Sequence, residues 1–278
     1  MNSSELILNN DGSIYHLNLK PGEVADTIIT VGDPDRVGLV STRFDTIQLR
    51  RQKREFVTHT GTLSGKRITV ISTGIGTDNI DIVLNELHAL KTMAKEEGNP
   101  YTIIRLGTSG AVQPQLKVDS LLISTAALGL DGLLHFYKDQ HHPKVEELLR
   151  QNEKWQLLPK PYAAWPSDVL LEKYSPLCDS SGVTMTAPGF YGPQGRSIQL
   201  QSRIEGFIPL LTESRFENVP ITNLEMETAG IYGLASLLGH KAISISALLA
   251  NRVTGEFSEK ADEVVHRMVE KTLDLMAG

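Results

Sequence analysis

One cysteine, Cys178, stands in 278 residues. It cannot form an internal disulfide, which suits a reducing compartment. No activating base lies beside it in the sequence, so a structural thiol is expected. No run approaches the ~18 apolar residues of a membrane span, and no basic-then-apolar leader opens the chain. No membrane partner and a cytoplasmic location are therefore expected. Positive charge is in short supply, with a net charge of −6. That argues against a nucleic-acid or anionic-membrane surface, while leaving room for a local arginine cluster. Three motifs are also missing: a Gly-x-Gly-x-x-Gly turn after the first strand, a Gly-Lys-Ser/Thr phosphate loop, and any zinc-ligand spacing. Their absence counts against dinucleotide, nucleoside-triphosphate and metallohydrolase chemistry. Repeats, low-complexity tracts and obvious linkers are absent too. The length is enough for one large domain or two small ones.

What is present is an alternation of β-branched runs and helical stripes. Thr27–Val31, Ile68–Thr73, Tyr101–Leu106, Ser120–Leu130, Gly182–Thr186 and Ala242–Leu249 read as buried strands. Residues 46–70 read as extended segments joined by turns. Asp78 is placed to cap a helix reaching about Lys95, with Ile80, Val83, Leu84, Leu87 and Leu90 as its core stripe. Lys144–Lys154 reads as a surface helix, Asp168–Tyr174 as another, and Ser258–Met276 as a closing amphipathic helix. Tyr137–Ser167 is the most irregular stretch. Strands alternating with helices predict an α/β fold with a mainly parallel or mixed sheet.

Several positions carry chemistry. Asn223-Leu-Glu-Met-Glu-Thr-Ala229 reads as a helix start, with Asn223 as N-cap and Met226, Ala229, Gly233 and Leu237 on one apolar face. Glu225 and Glu227 then answer the helix dipole, or enter a crowded site where they accept hydrogen bonds from ligand hydroxyls. Ala229, Gly230 and Gly233 predict close packing. Arg105 interrupts an apolar run near a strand's carboxyl end, where open α/β sheets bind ligands. A buried arginine needs a carboxylate or a bound anion. Gly32-Asp33-Pro34-Asp35-Arg36 after the first strand offers backbone N–H groups and a guanidinium to an anion, and is also ordinary turn chemistry. The loop from Ala187 to Arg196 carries an aromatic, an amide and a guanidinium. It reads either as a surface loop or as a platform for a planar ring. His16 and the basic cluster Arg50, Arg51, Lys53 and Arg54 read, taken alone, as surface.

Taken in order, these pieces resemble the nucleoside phosphorylase-I family, most closely its uridine phosphorylases. The matching motifs are Gly32-Asp33-Pro34-Asp35-Arg36, Arg54-Glu55-Phe56, Ser72-Thr73-Gly74-Ile75-Gly76 and Arg105-Leu106-Gly107-Thr108-Ser109-Gly110-Ala111. Phe190-Tyr191 with Gln194 and Arg196, Glu225-Met226-Glu227 and Asn251-Arg252 complete the set. Each is modest; their ordered co-occurrence is specific. The resemblance implies one α/β domain over residues 1–278, with a distorted mixed sheet flanked by helices. It implies reversible phosphorolysis of a pyrimidine nucleoside to ribose 1-phosphate and free base.

By the same resemblance, Gly32 N–H, Arg36, Arg105 and Thr108 bind phosphate, with Arg54 supplied by a neighbouring subunit. Glu225, Met226 and Glu227 face the ribose, with His16 from that neighbour. Phe190, Gln194 and Arg196 hold the base, and Arg252 supports it. Arg105, Glu227 and Arg252 are the catalytic set. The partners implied are a nucleoside, phosphate and further copies of the chain, as a dimer or hexamer. No cofactor or resident metal is implied, phosphate being a co-substrate. Hexameric relatives hold a monovalent cation at positions matching Glu55, Ile75 and Asn79, but Asn79 replaces a serine there, which puts that cation in doubt. The stretch 137–185 looks longer than in compact bacterial relatives, and Gly192, Pro193 and Gly195 alter the base loop. Purine-specific relatives carry an aspartate after the strand that follows the Glu-Met-Glu helix. Ser244–Arg252 holds no acid, which favours a pyrimidine. Rivals are a purine phosphorylase or nucleosidase on the same fold, a non-catalytic nucleoside-binding homologue and, more weakly, a nucleotide-dependent oxidoreductase.

Overall fold

The computed structural model describes residues 5–96, 98–138 and 142–278. Residues 1–4 of the N-terminal segment and 139–141 of the irregular stretch lie outside these. The chain runs β1 (Thr27–Val31), α1 (Asp35–Ser41), β2 (Thr46–Lys53), β3 (Phe56–Leu63), β4 (Lys66–Ser72), α2 (Thr77–Ala94), β5 (Thr102–Ala111) and β6 (Leu121–Gly129). It continues α3 (Pro143–Leu149), β7 (Tyr162–Ala164), α4 (Asp168–Tyr174), β8 (Ser180–Thr186), α5 (Phe207–Glu213), β9 (Arg215–Phe216) and β10 (Val219–Glu225). It ends α6 (Thr228–Leu237), β11 (Lys241–Asn251) and α7 (Ala261–Ala277).

All the strands join one mixed sheet in the order β2-β3-β4-β1-β5-β11-β6-β8-β10-β9, with β7 on β6. The pairs β1–β4, β1–β5, β5–β11, β6–β8 and β8–β10 are parallel. β10 also pairs antiparallel with β5 at Asn223↔Ala111, so β5, β11, β6, β8 and β10 close into a ring. This is the distorted mixed α/β sheet that was expected. Alternate strand residues feed two cores. On β1, Ile28 joins the apolar layer of α2 and α6, while Ile29 and Val31 join that of α1, α4 and α7. α6 packs closely, as its glycines predict: a Cβ at Gly233 would lie 2.1 Å from a Leu134 methyl.

Three local expectations are corrected. Asn223 is not a helix N-cap. It is buried within β10, where its amide donates to Ser109 Oγ and its carbonyl accepts from Thr184 Oγ1. Glu225 therefore ends a strand, Glu227 occupies the N-cap position, and α6 begins at Thr228. Met226 sits in the connecting turn and Leu237 is exposed. Second, β5 does not stop at Leu106. Its glycines and serine continue the ladder along β11 to Ala111, which places Arg105 inside the strand. Third, Lys144–Lys154 is not one surface helix. α3 ends at Leu149, and the Asn152 carbonyl accepts from Lys154 N to open a separate 3-10 turn, Glu153–Leu157. That competition with the helix backbone is typical of asparagine. Val145, Leu148 and Trp155 are buried beneath it.

Candidate active site

The carboxyl ends of β1, β4 and β10, the second half of β5 and the end of β11 surround a cavity of ≈ 800 Å³. Open α/β sheets place ligands at this end of their strands. Ten of the sequence-predicted residues line it. Gly32, Arg36, Arg105 and Thr108 come from the end of β1, from α1 and from β5; Glu225, Met226 and Glu227 from the end of β10 and the turn into α6; Phe190, Gln194 and Arg196 from the long loop after β8.

The centre is a buried ion-pair cluster. Arg105 Nη2 lies 2.6 Å from Glu227 Oε2 and 2.9 Å from Glu225 Oε2. Its Nη1 faces the hydroxyls of Ser244 and Ser246, each at 3.4 Å. The guanidinium folds back over Gly107, two residues on and thus on the same face of β5. A Cβ at Gly107 would lie 2.0 Å from Nη1. Burial opposes the Arg105 charge, but Glu225 and Glu227 outweigh it and hold the group above the ordinary arginine range. Burial also pushes Glu227 upward, with Glu225 adding to this, while Arg105 and the Gly76 N–H pull it back. Glu227 Oε1 accepts that N–H at 2.9 Å.

Arg36 differs from Arg105. Burial lowers its pKa, Asp33 opposes that, and nearby Arg105 lowers it further. Among the described residues its side chain has no hydrogen-bond or ion-pair partner, although it lines the same cavity. An unpaired, half-buried cation beside a second arginine is a ready receptor for an anion.

At the other side, Arg196 Nη1 donates to the Phe190 carbonyl and to Gln194 Oε1, each at 2.7 Å. Its guanidinium lies 3.8 Å above the Phe190 ring, a cation–π contact. Burial, with help from Arg252, lowers the Arg196 pKa to about 10, so it stays charged at neutral pH. Gln194 is buried, and its Nε2 has no protein partner among the described residues. Arg252 does not line the cavity. It donates to the Gln194 carbonyl at 3.1 Å and so braces the loop from behind.

His16 and Arg54 also stand outside this cavity. His16 Nδ1 pairs with Glu86 at 2.6 Å. Arg54 is exposed at the tight turn between β2 and β3, with φ of 55°. Lys53, next in the chain, donates to the Tyr15 carbonyl and lies 4.2 Å over the Tyr15 ring. The two segments thus sit together, and neither His16 nor Arg54 lines this chain's own cavity. At the expected cation position, the Asn79 amide donates to Glu55 Oε1 at 3.2 Å and to the Ile75 carbonyl at 3.4 Å. The amide thus shares those two oxygens, while Glu55 Oε2 has no hydrogen-bond partner among the described residues.

Sequence reasoning missed the supporting residues Thr186, Thr228 and Ser244, and Phe257 at the cavity mouth. The threonines and serine read as ordinary strand and helix residues, with no spacing to mark them. Phe257, 71% exposed, went unread; its one signal is that of a lone aromatic in a polar stretch.

A family model described as the phosphorylase superfamily matches residues 26–277. The chain is similar to the uridine phosphorylase of Thermococcus kodakarensis, 31% identical across 99% of this chain and 91% of that protein. It is 28% identical to a purine nucleoside phosphorylase of Colwellia psychrerythraea, over 93% of this chain and 97% of that one. In structure it is similar to a Trypanosoma brucei nucleoside phosphorylase described as showing uridine phosphorylase activity. The TM-score is 0.89 at 29% identity, covering 97% of this chain and 98% of that one.

Proposed function

The chain belongs to the phosphorylase superfamily and is an enzyme, a nucleoside-cleaving pentosyltransferase; we propose that its substrate is uridine, split by inorganic phosphate into uracil and ribose 1-phosphate. One observation carries the reading. Arg36, a cation without a side-chain partner among the described residues, lines the same cavity as Arg105 and the Glu227 carboxylate. Phosphate near neutral pH is largely dianionic and needs such a pair. Arg36, Arg105, the Thr108 hydroxyl and the Gly32 N–H would take it, each charge-assisted hydrogen bond contributing roughly 1.5–3 kcal/mol.

The remaining steps follow from charge. Glu227 keeps lone pairs free for ribose hydroxyls, because it accepts only Gly76 N–H and Arg105 among the described residues. As the glycosidic bond breaks, positive charge grows on the sugar, as in glycoside cleavage. Phosphate below and Glu227 beside it stabilise that charge. The departing base gathers negative charge, which Gln194 Nε2 and Arg196 meet from a fixed geometry, with Phe190 beneath. This is preorganised electrostatic stabilisation, and no covalent enzyme intermediate is required. Arg252 acts on the base through the loop it braces.

No acid occupies Ser244–Arg252, so a purine would find no proton donor for its N7 there. Polar groups left unpaired against the wrong base cost about 1–3 kcal/mol each. We propose further that His16 and Arg54 complete the cavity of a second copy, which makes the working unit at least a dimer. The test is the loss of uridine absorbance with and without phosphate, beside inosine and adenosine. Uridine is expected to be cleaved only with phosphate and far faster than either purine nucleoside. Comparable specificity constants for inosine and uridine would refute the base assignment, and cleavage without phosphate would refute the phosphate site.

A further inference from the structure

The two carboxylates of the Glu-Met-Glu turn are not equivalent. Glu227 meets two donors and keeps half of its roughly four lone-pair sites. Glu225 keeps none. Its Oε1 accepts Thr186 Oγ1 at 2.5 Å and Thr228 N at 3.1 Å. Its Oε2 accepts Glu227 N at 3.0 Å, Thr228 N at 2.9 Å and Thr228 Oγ1 at 2.8 Å, and faces Arg105 Nη2 at 2.9 Å. A sugar hydroxyl would have to displace one of these buried donors, stranding it without a partner.

The donors are themselves fixed. Thr186 Oγ1 accepts from Ala229 N at 2.9 Å. Thr228 Oγ1 lies 2.9 Å from Ser244 Oγ, and Ser244 N donates to the buried Tyr232 hydroxyl. Ser244 in turn faces Arg105 Nη1. The network leaves Glu225, returns through Thr228 and Ser244, and meets the same guanidinium from its other side. β8, β10, β11 and α6 all contribute to it.

From this closed network we infer that Glu225 is a positioning residue that clamps the Arg105 guanidinium for phosphate, and not a ligand of the sugar. The inference rests on the proposed reading of Arg105 as a phosphate group receptor. Glu225 holds one edge of the guanidinium against β11, which leaves the orientation toward the cavity fixed before phosphate arrives. Thr186, which does not itself line the cavity, shares the role at one remove.

The experiment uses the full-length enzyme and the variants Glu225→Gln and Thr186→Val. It measures kcat and KM for phosphate, uridine and 2′-deoxyuridine, and phosphate affinity by calorimetry. Glu225→Gln is expected to lower kcat/KM for phosphate at least tenfold and to weaken phosphate binding, as loss of one charged contact requires. The ratio of uridine to 2′-deoxyuridine specificity should stay within about threefold, since no sugar contact is removed. Thr186→Val should show the same pattern more weakly. In an Arg105→Ala background, Glu225→Gln should leave phosphate affinity unchanged. A collapse of the uridine to 2′-deoxyuridine ratio with phosphate constants intact would make Glu225 a sugar ligand and overturn the inference. So would a fall in kcat alone with unchanged phosphate affinity, or a folded Thr186→Val enzyme with wild-type phosphate constants. Thr186→Val keeps the question decidable if Glu225→Gln does not fold. A wild-type enzyme that ignores phosphate overturns the functional reading instead, which the same assay separates from these outcomes.

Discussion

Replacing Gly107 by alanine tests whether the orientation of Arg105 matters, without altering a charge. An ideal Cβ at Gly107 would lie 2.0 Å from Arg105 Nη1, 2.4 Å from Cζ and 2.7 Å from Nη2. Real carbon atoms do not approach that closely, so something must move. Gly107 stands in the β5–β11 ladder opposite Ser246 and cannot shift cheaply. The end of an arginine side chain can swing, and Arg105 borders the cavity. The swing breaks the contacts to Glu225 and Glu227 and points the guanidinium wrongly for phosphate. One misdirected charge-assisted hydrogen bond at roughly 1.5–3 kcal/mol converts to about a tenfold to 150-fold loss. Overpacking a core typically costs about 1–3 kcal/mol of stability, and the escape route places the expected value at the low end. The assay pairs initial rates at varied phosphate with thermal melting. Gly107→Ala is expected to fold and to lose kcat/KM for phosphate by at least tenfold. A folded variant with wild-type phosphate kinetics would refute the reasoning, because the clash would then have been absorbed without moving Arg105.

Three further outcomes are expected. Arg54→Ala and Glu227→Ala should each be nearly inactive, and co-refolding them should restore part of the activity, because a mixed dimer holds one cavity with both residues intact; demonstrated mixed dimers with no recovery would remove the composite site. Since the Asn79 amide donates to Glu55 Oε1 and to the Ile75 carbonyl, a cation there would have to compete with it, and replacing potassium by tetramethylammonium should change the rate by less than about twofold; a large loss on removing potassium would contradict that. Finally, His240 is buried, and burial, followed by His88 and Lys91, lowers its pKa from 6.5 to about 4. Its Nδ1 accepts from Tyr101 N at 3.2 Å, which needs the neutral ring. A depressed folded-state pKa gives stability that is complete above 6.5 and lost as pH falls toward 4. The full gap is worth ~3.4 kcal/mol and solvent screening reduces it to roughly 1–2 kcal/mol. Melting curves from pH 7 to 4.5 should therefore fall less steeply in His240→Gln than in the wild type, and parallel curves would rule the histidine out.

Legibility in the sequence followed the physics of each signal. The β-branched runs and the α2 stripe are long and periodic, and both became elements within a residue or two, apart from the far end of β5. Arg105 stood out because a cation inside an apolar run demands a partner, and two carboxylates supply it. The helix predicted from Asn223 failed because a cap signature is local, whereas Asn223 is held by Ser109, 114 residues away in sequence, and by Thr184. Likewise Gly107–Gly110 reads as a loop until β11 offers it a ladder. Thr186 and Thr228 were invisible for the same reason. A hydroxyl that supports a carboxylate from a neighbouring strand leaves no pattern in its own stretch of chain.

The closing of β10 onto β5 explains why this site needs so much of the chain. Arg105 and Glu227 are 122 residues apart in sequence, yet the pairing of Asn223 with Ala111 brings the end of β10 beside β5, the strand that carries Arg105. The short register there carries Glu225 to the rim opposite Arg105, and the turn to α6 then lifts Glu227 into the cavity. An open sheet would leave those carboxylates on a distant edge, and the buried arginine would face several kcal/mol of uncompensated desolvation. The arginine and the ring therefore require each other. Strand closure provides the counter-charges, and the counter-charges make it tolerable to bury, beside the cavity, the cation that phosphate is proposed to meet. On this account a substitution that loosens the seam without touching a ligand, such as Asn223→Ala with its loss of the Ser109 and Thr184 bonds, should reduce phosphate affinity together with stability.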